Sequence, residues 1–258
     1  MELLQSHGGL VTAYVFIIGL MAGSFLNVCI YRLPRGESVV FPKSHCPSCD
    51  APILARDNIP AVSYLLLAGK CRHCGAAISP AYPAVEITTG VLLAALYHKF
   101  GFTWEMLIYS VVAAALLVIA MIDFEHKIIP DSITLPGIAF GLAAGYYLVG
   151  WRDSLMGLAV GGGLFYLLAV LSRGGMGGGD IKFIAAAGAL LGWQKVLLII
   201  FLGAFLGSCV GLPLILMKKK SRKSEIPFGP FLAAGTLAVI FFGNELIQLY
   251  LGTLTGMF

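Results

Sequence analysis

Two aspartates in this 258-residue chain stand where an apolar run meets polar sequence. Asp123 closes the apolar part of MIDFEHKIIPD (121–131), and Asp180 follows the glycines of GGMGGGDIK (174–182). The second stretch packs five glycines into nine residues, a density suited to close backbone packing or to positive φ. An ionisable residue at the edge of a membrane segment marks a functional site, and each aspartate is the partner proposed for the other. Two carboxylates held close cannot both ionise cheaply, so they share a proton and titrate apart. One can then act as base on a water that attacks an amide carbonyl, while the other protonates the oxygen or the leaving amine. Neither a metal nor a nucleophilic side chain is required. The competing reading makes both of them helix-end residues, Asp180 as an N-terminal cap and Asp123 as an interfacial charge.

A second constellation is built from Cys46, Cys49, Cys71 and Cys74, which form CPSC and CRHC with 21 residues between them. Paired C-x2-C knuckles at such a spacing read as a tetrahedral four-cysteine zinc site. Pro47 and Gly75 suit the tight turns this needs. Four thiolates close the coordination shell, so the one zinc expected per chain is structural. Two disulfides are the alternative, disfavoured in a reducing cytoplasm. Cys29 and Cys209 lie alone in apolar runs and read as core packing.

Other polar residues carry weaker signals. Asp131 is placed to cap the helix starting near Ser132. Glu125, His126 and Lys127 form a solvated interface cluster, and four cysteines make His73 unnecessary as a ligand. Glu86 near the start of an apolar run reads either as functional or as snorkelling to the interface. Asn27 needs a hydrogen-bond partner inside a bundle.

The elements that must position these groups are membrane helices. The sequence is 59% hydrophobic and only 12% charged, with a mean hydropathy of +0.90. Soluble domains are nearer one-quarter charged. Leu10 to Tyr31 is a 22-residue run without charge, long enough to cross a bilayer core of about 30 Å. The sequence before it has no Lys or Arg, unlike a secretory signal, so this run is expected to be retained. A polar insert, Arg32 to Tyr82, follows and holds the four paired cysteines. Further spans are expected at Pro83–Tyr97, Met106–Ile122, Ser132–Trp151, Ser154–Ser172 and Val196–Met217, with a last one from Ile226 past Glu245. The run Phe183–Trp193 is short and must borrow Asp180 to Lys182, tilt, or thin the bilayer. The expected fold is an all-α polytopic membrane protein of about eight transmembrane helices with a cytoplasmic zinc-binding insert. Its divisions are residues 1–31 as the first span, 32–82 as the insert and 83–258 as the helical bundle bearing the aspartates.

Basic residues orient that arrangement. With the insert inside, fourteen Lys and Arg residues face the cytoplasm, and only Lys99, Arg152 and Lys195 lie opposite. The positive-inside rule then puts the N-terminus outside and both aspartates at the cytoplasmic ends of their spans. The run KKKSRK (218–223) is a topology signal in a short loop, so no nucleic-acid partner is expected.

In combination and order, GSFLNVCIYRLP (23–34), the paired CxxC insert, SPAYPAVE (79–86), DFEHKIIPD (123–131) and GGGDIK (177–182) resemble the bacterial type IV prepilin peptidases. The resemblance covers roughly residues 19–190. It implies an aspartyl protease dyad at Asp123 and Asp180, the second in a GxGD motif, and zinc at Cys46, Cys49, Cys71 and Cys74. It implies prepilin or pseudopilin substrates, cleaved at the cytoplasmic side of the inner membrane between a basic leader and an apolar helix. It also implies N-methylation of the new terminus from S-adenosylmethionine, for which the sequence offers no glycine-rich nucleotide loop or identifiable binding residues. Two rival classes are a proton-coupled transporter and a zinc-bearing assembly scaffold without catalysis. A transporter would show repeats and polar residues near the midplane, and a scaffold would need neither aspartate.

Overall fold

Apolar segments that leave water must satisfy their backbone N–H and C=O groups internally, and helices do so within one segment. A computed structural model of the chain describes residues 8–172, 175–216 and 227–255. Arg173, Gly174 and the basic run 218–223 lie outside the described residues. The described residues form α1 (Gly8–Arg32), α2 (Val62–Leu66), α3 (Ala81–Phe100), α4 (Trp104–His126) and α5 (Asp131–Leu148). They continue as α6 (Trp151–Leu171), α7 (Gly178–Leu191), α8 (Trp193–Leu216) and α9 (Gly229–Thr255), with no strand among them. Among the described residues five helices are long and apolar enough to cross a membrane: Gly8–Arg35, Trp104–His126, Trp151–Leu171, Trp193–Leu214 and Gly229–Leu249. Such a set fits a multi-pass membrane protein.

The chain divides into two units, Met1–Val118 and Ile119–Phe258. In the first, α1 and α3 pack backbone to backbone. A Cβ added at Gly19 would lie 2.6 Å from Gly90 Cα, and one at Gly23 would lie 2.6 Å from Glu86 Cα. This is the small-residue contact by which membrane helices approach without a hydrophobic driving force. The polar insert leaves α1 through a 3-10 turn at Leu33–Arg35 and returns at α3. Arg32, only 6% exposed, donates to the Ser38 carbonyl at 2.9 Å and the Pro42 carbonyl at 2.8 Å.

In the second unit α7 is the central element, with α5 and α6 packed against it. Eight of its residues between Phe183 and Leu191 are buried. A Cβ at Gly157 of α6 or at Gly188 of α7 would collide with the other's carbonyl, so these helices touch through bare backbone. Ser154 of α6 adds a buried hydroxyl bond to the Ala189 carbonyl, 2.6 Å long. At 14 residues α7 rises about 21 Å. It begins at Gly178, so the short apolar run does take in the glycines and Asp180, and Gly192 (φ +85°) separates it from α8.

Candidate active site and metal centre

Asp123 lies in the last turn of α4, in the second unit, and is 5% exposed. Its Oδ2 accepts the backbone N–H of Gly229 at 2.7 Å. Gly229 opens α9, and the first N–H groups of a helix have no partner in their own helix. Oriented N–H groups at that end carry partial positive charge, which suits a carboxylate. Among the described residues no Lys or Arg pairs with Asp123.

Asp180 occupies the first turn of α7 and is half-buried. It lies within Coulombic reach of Asp123, so the two aspartates are brought together within one unit. The N-cap of α7 is Gly177, not Asp180. Asp180 instead folds back to accept the Gly177 N–H, the return half of a capping box. The helix-end reading therefore describes part of its local geometry, while its proximity to Asp123 is a separate feature.

The glycines before Asp180 act through close approach rather than left-handed backbone. Gly177 is extended (φ −71°, ψ 142°), and none of Gly175, Gly177, Gly178 or Gly179 has positive φ. A Cβ at Gly179 would lie 2.7 Å from Ile129 Cβ, so the first turn of α7 rests directly on the loop that follows Asp123. Lys182 Nζ lies 2.7 Å from both oxygens of Asp131, an exposed pair joining the first turns of α7 and α5. Asp131 is thus the first residue of its helix rather than its cap, and the N-cap, Pro130, has no side-chain bond to offer.

Gly229 is the site residue that sequence reasoning missed. The signal was PFGP (227–230), a Gly-Pro pair at the mouth of an apolar run and a common way to open a helix. Nothing in it pointed to Asp123, 106 residues earlier.

In the first unit the four cysteine sulfurs lie within 4.8 Å of one another, so a single ion could take all four. No disulfide joins any of the six cysteines in the structure. The knuckles are local copies of each other. Cys46 N–H donates to Ala51 O and Asp50 N–H returns to Cys46 O, while Cys71 N–H donates to Ala76 O and Gly75 N–H returns to Cys71 O. Asp50 (φ +55°) and Gly75 (φ +73°) occupy the same left-handed position. Gly75 was expected there, and Asp50 is its equivalent because Asp tolerates that region better than most residues. Backbone N–H groups of Cys74 and His73 hold the Cys71 thiol below its usual range. Arg72 grips Asp57 with bonds of 2.6–3.0 Å, fastening the second knuckle to the turn at Ala55–Asp57.

Two polar residues near the helix ends of this unit are also accounted for. Asn27 donates to the Tyr82 carbonyl at 3.0 Å, the partner its buried position required. Glu86 does not snorkel. It is 8% exposed and accepts the Ala61 N–H at 2.7 Å.

Helices fit for a membrane, two aspartates within Coulombic reach and a four-cysteine cluster define the class: an all-helical membrane protein with a carboxylate pair and a metal-competent insert. Residues 17–100 match the bacterial peptidase A24 N-terminal domain, and residues 110–212 match the type IV leader peptidase family. The prepilin leader peptidase/N-methyltransferase of Aeromonas salmonicida (strain A449) is 34% identical over 98% of both chains. That of Pseudomonas aeruginosa is 33% identical over 97% of both. The protein of the same name from Myxococcus xanthus (strain DK1622) is 39% identical over 81% of this chain and 64% of its own. No solved structure matches. The chain belongs to the type IV leader peptidase family, and the resemblance read from its motifs is borne out. The transporter and scaffold readings are not favoured.

Proposed function

We propose that this chain cleaves the leader peptide from type IV prepilins or pseudopilins and methylates the new N-terminal residue, the two activities named for its relatives. The observation that carries the peptidase half is the buried Asp123 carboxylate, held by the Gly229 N–H at 2.7 Å with Asp180 in Coulombic reach. The pair shares one proton. The ionised member takes a proton from a water as it attacks the scissile carbonyl, and the protonated member supplies the proton that the departing amine needs. The bond to Gly229 engages one oxygen of Asp123 and leaves the other for this exchange. A cleavage assay with purified protein and a prepilin tests the reading directly; a folded protein that leaves the substrate intact overturns it.

The four-cysteine insert holds a structural zinc ion in this reading. Sulfurs about 2.3 Å from one tetrahedral ion lie about 3.8 Å apart, and the Cys46 and Cys74 sulfurs are separated by 3.9 Å. Cys46, Cys49, Cys71 and Cys74 would be its ligands, leaving no open position for water. Replacing Cys46 or Cys71 with Ser is expected to remove the zinc and disorder both knuckles, because metal binding there is coupled to folding. Elemental analysis of purified protein should find one zinc per chain in the parent and almost none in either variant. A parent free of zinc would refute the site.

The topology belongs to the same reading: eight spans in the bacterial inner membrane, an outside N-terminus, and the insert and the aspartates on the cytoplasmic side. Its divisions are residues 1–31, 32–82 and 83–258. The charge asymmetry of the loops supports this. Impermeant thiol reagents applied outside the cell should miss cysteines placed at Ser38 and Ser221 and reach one placed at Arg152. Labelling at Ser38 from outside would invert the arrangement.

A further inference from the structure

The first unit contains a cavity of about 690 Å³ that touches the cysteine knuckles at Cys46 and Cys71 and extends from them to the ends of α1 and α3. Its volume falls in the range of small-molecule sites, about 300–1,000 Å³. Lys43, Asp57 and Arg72 are among its lining residues, and two further charged side chains there are almost fully buried and opposite in sign: Arg32 at 6% exposure and Glu86 at 8%. Among the described residues they form no ion pair with each other or with a third group. Arg32 meets only the carbonyls of Ser38 and Pro42, using two of the five N–H donors a guanidinium carries. Glu86 meets the Ala61 N–H and the Ser24 hydroxyl. Burying one charge without a counter-charge is costly, and burying two of opposite sign in one cavity without pairing them is costlier. A ligand that brings its own anion and its own cation resolves both. Asn27 lines the same cavity, as do Tyr31, Tyr64 and Tyr82, and the Tyr31 ring already carries the Arg35 guanidinium 3.9 Å from its centroid.

We infer that this cavity is the binding site for the methyl donor S-adenosylmethionine, with Arg32 receiving its carboxylate and Glu86 facing its sulfonium or ammonium charge. The inference rests on the methyl-transfer half of the proposed function. The chemistry on the page fits the ligand part by part: a guanidinium for a carboxylate, a carboxylate for a cation, and tyrosine rings for a purine. Methyl transfer breaks the sulfur–methyl bond and leaves that pair on sulfur. The substrate's neutral amine provides the pair for the new nitrogen–methyl bond, and its displaced proton goes to water.

The test uses full-length, zinc-loaded protein and S-adenosylmethionine itself. Ultraviolet cross-linking of the radiolabelled donor, followed by peptide mapping, should place the label on peptides from residues 21–86. Excess S-adenosylhomocysteine should displace it. Excess phosphatidylethanolamine, a lipid whose headgroup is also zwitterionic, should not. Glu86→Gln retains the shape and the acceptor for Ala61 but removes the charge, so affinity for the donor should fall by about 30-fold or more. Arg32→Lys retains the charge but loses the fork and should weaken binding in the same direction. Zinc content and a single symmetrical gel-filtration peak verify that each variant is folded. Label confined to residues 119–258, displacement by the lipid, or unchanged donor affinity in a folded Glu86→Gln protein would each overturn the site. If the parent then still methylates a cleaved pilin peptide, the proposed function stands and only the location falls. A parent that neither binds the donor nor methylates overturns both.

Discussion

Asp123→Asn and Asp180→Asn should each reduce prepilin cleavage by at least about 10³-fold while leaving the helices assembled. Loss of one acid–base group costs about 10²–10⁴-fold, and groups that work as a unit lose nearly the whole effect when either is removed. Asparagine is nearly isosteric with aspartate, so α4 and α7 retain their packing. At position 123 the side-chain oxygen can still accept the Gly229 N–H. What disappears is the exchangeable proton and the base that receives it. Methyl transfer involves the substrate amine and the donor, with no step assigned to either aspartate. Both variants should therefore methylate a pilin peptide supplied already cleaved. The measurement is a pair of assays on the same preparation, one following leader release and the other methyl incorporation. Near-normal cleavage by a folded Asp180→Asn protein would reduce the glycine-rich stretch to a structural linker.

What was legible in the sequence follows from how local each signal is. The cysteine knuckles are set by residues three apart and by turns of five or six residues, so spacing alone anticipated a cluster whose sulfurs lie within 4.8 Å. Apolar run length anticipated the helices, since hydrophobic segments of this size have few other ways to satisfy their backbone. The glycines before Asp180 were read as needing close approach or positive φ, and close approach is what Gly179 and Ile129 display. Features that depend on the rotation of one helix against another were not legible. The burial of Arg32 and Glu86 depends on how the insert folds over the ends of α1 and α3, which no periodicity encodes. The pairing of Asp131 with Lys182 joins residues 51 positions apart through the register of α5 on α7. The Gly229 contact is the extreme case, fixed by where the first turn of α9 stops.

That contact yields a sharp steric test. A Cβ built at Gly229 would lie 2.8 Å from Asp123 Oδ2 and 3.0 Å from both its Cβ and Cγ. The carboxylate tip could rotate away, but Asp123 Cβ is bound to the backbone of α4 and cannot yield without moving that turn. Gly229→Ala therefore pushes the carboxylate aside while preserving the N–H that donates to it. Thermal stability should change little. Cleavage should fall by about 10²-fold, the cost of displacing a reacting group by roughly an ångström. The loss should appear in kcat rather than KM, because the change displaces a proposed reacting group by a single methyl. Gly163→Ala is the matched control, since an added Cβ there meets nothing within 4 Å. It should cleave like the parent. Near-normal cleavage by Gly229→Ala would mean that Asp123 can shift without losing its attack geometry. The bond from α9 would then be an ordinary helix-end interaction, with no part in holding the carboxylate for catalysis.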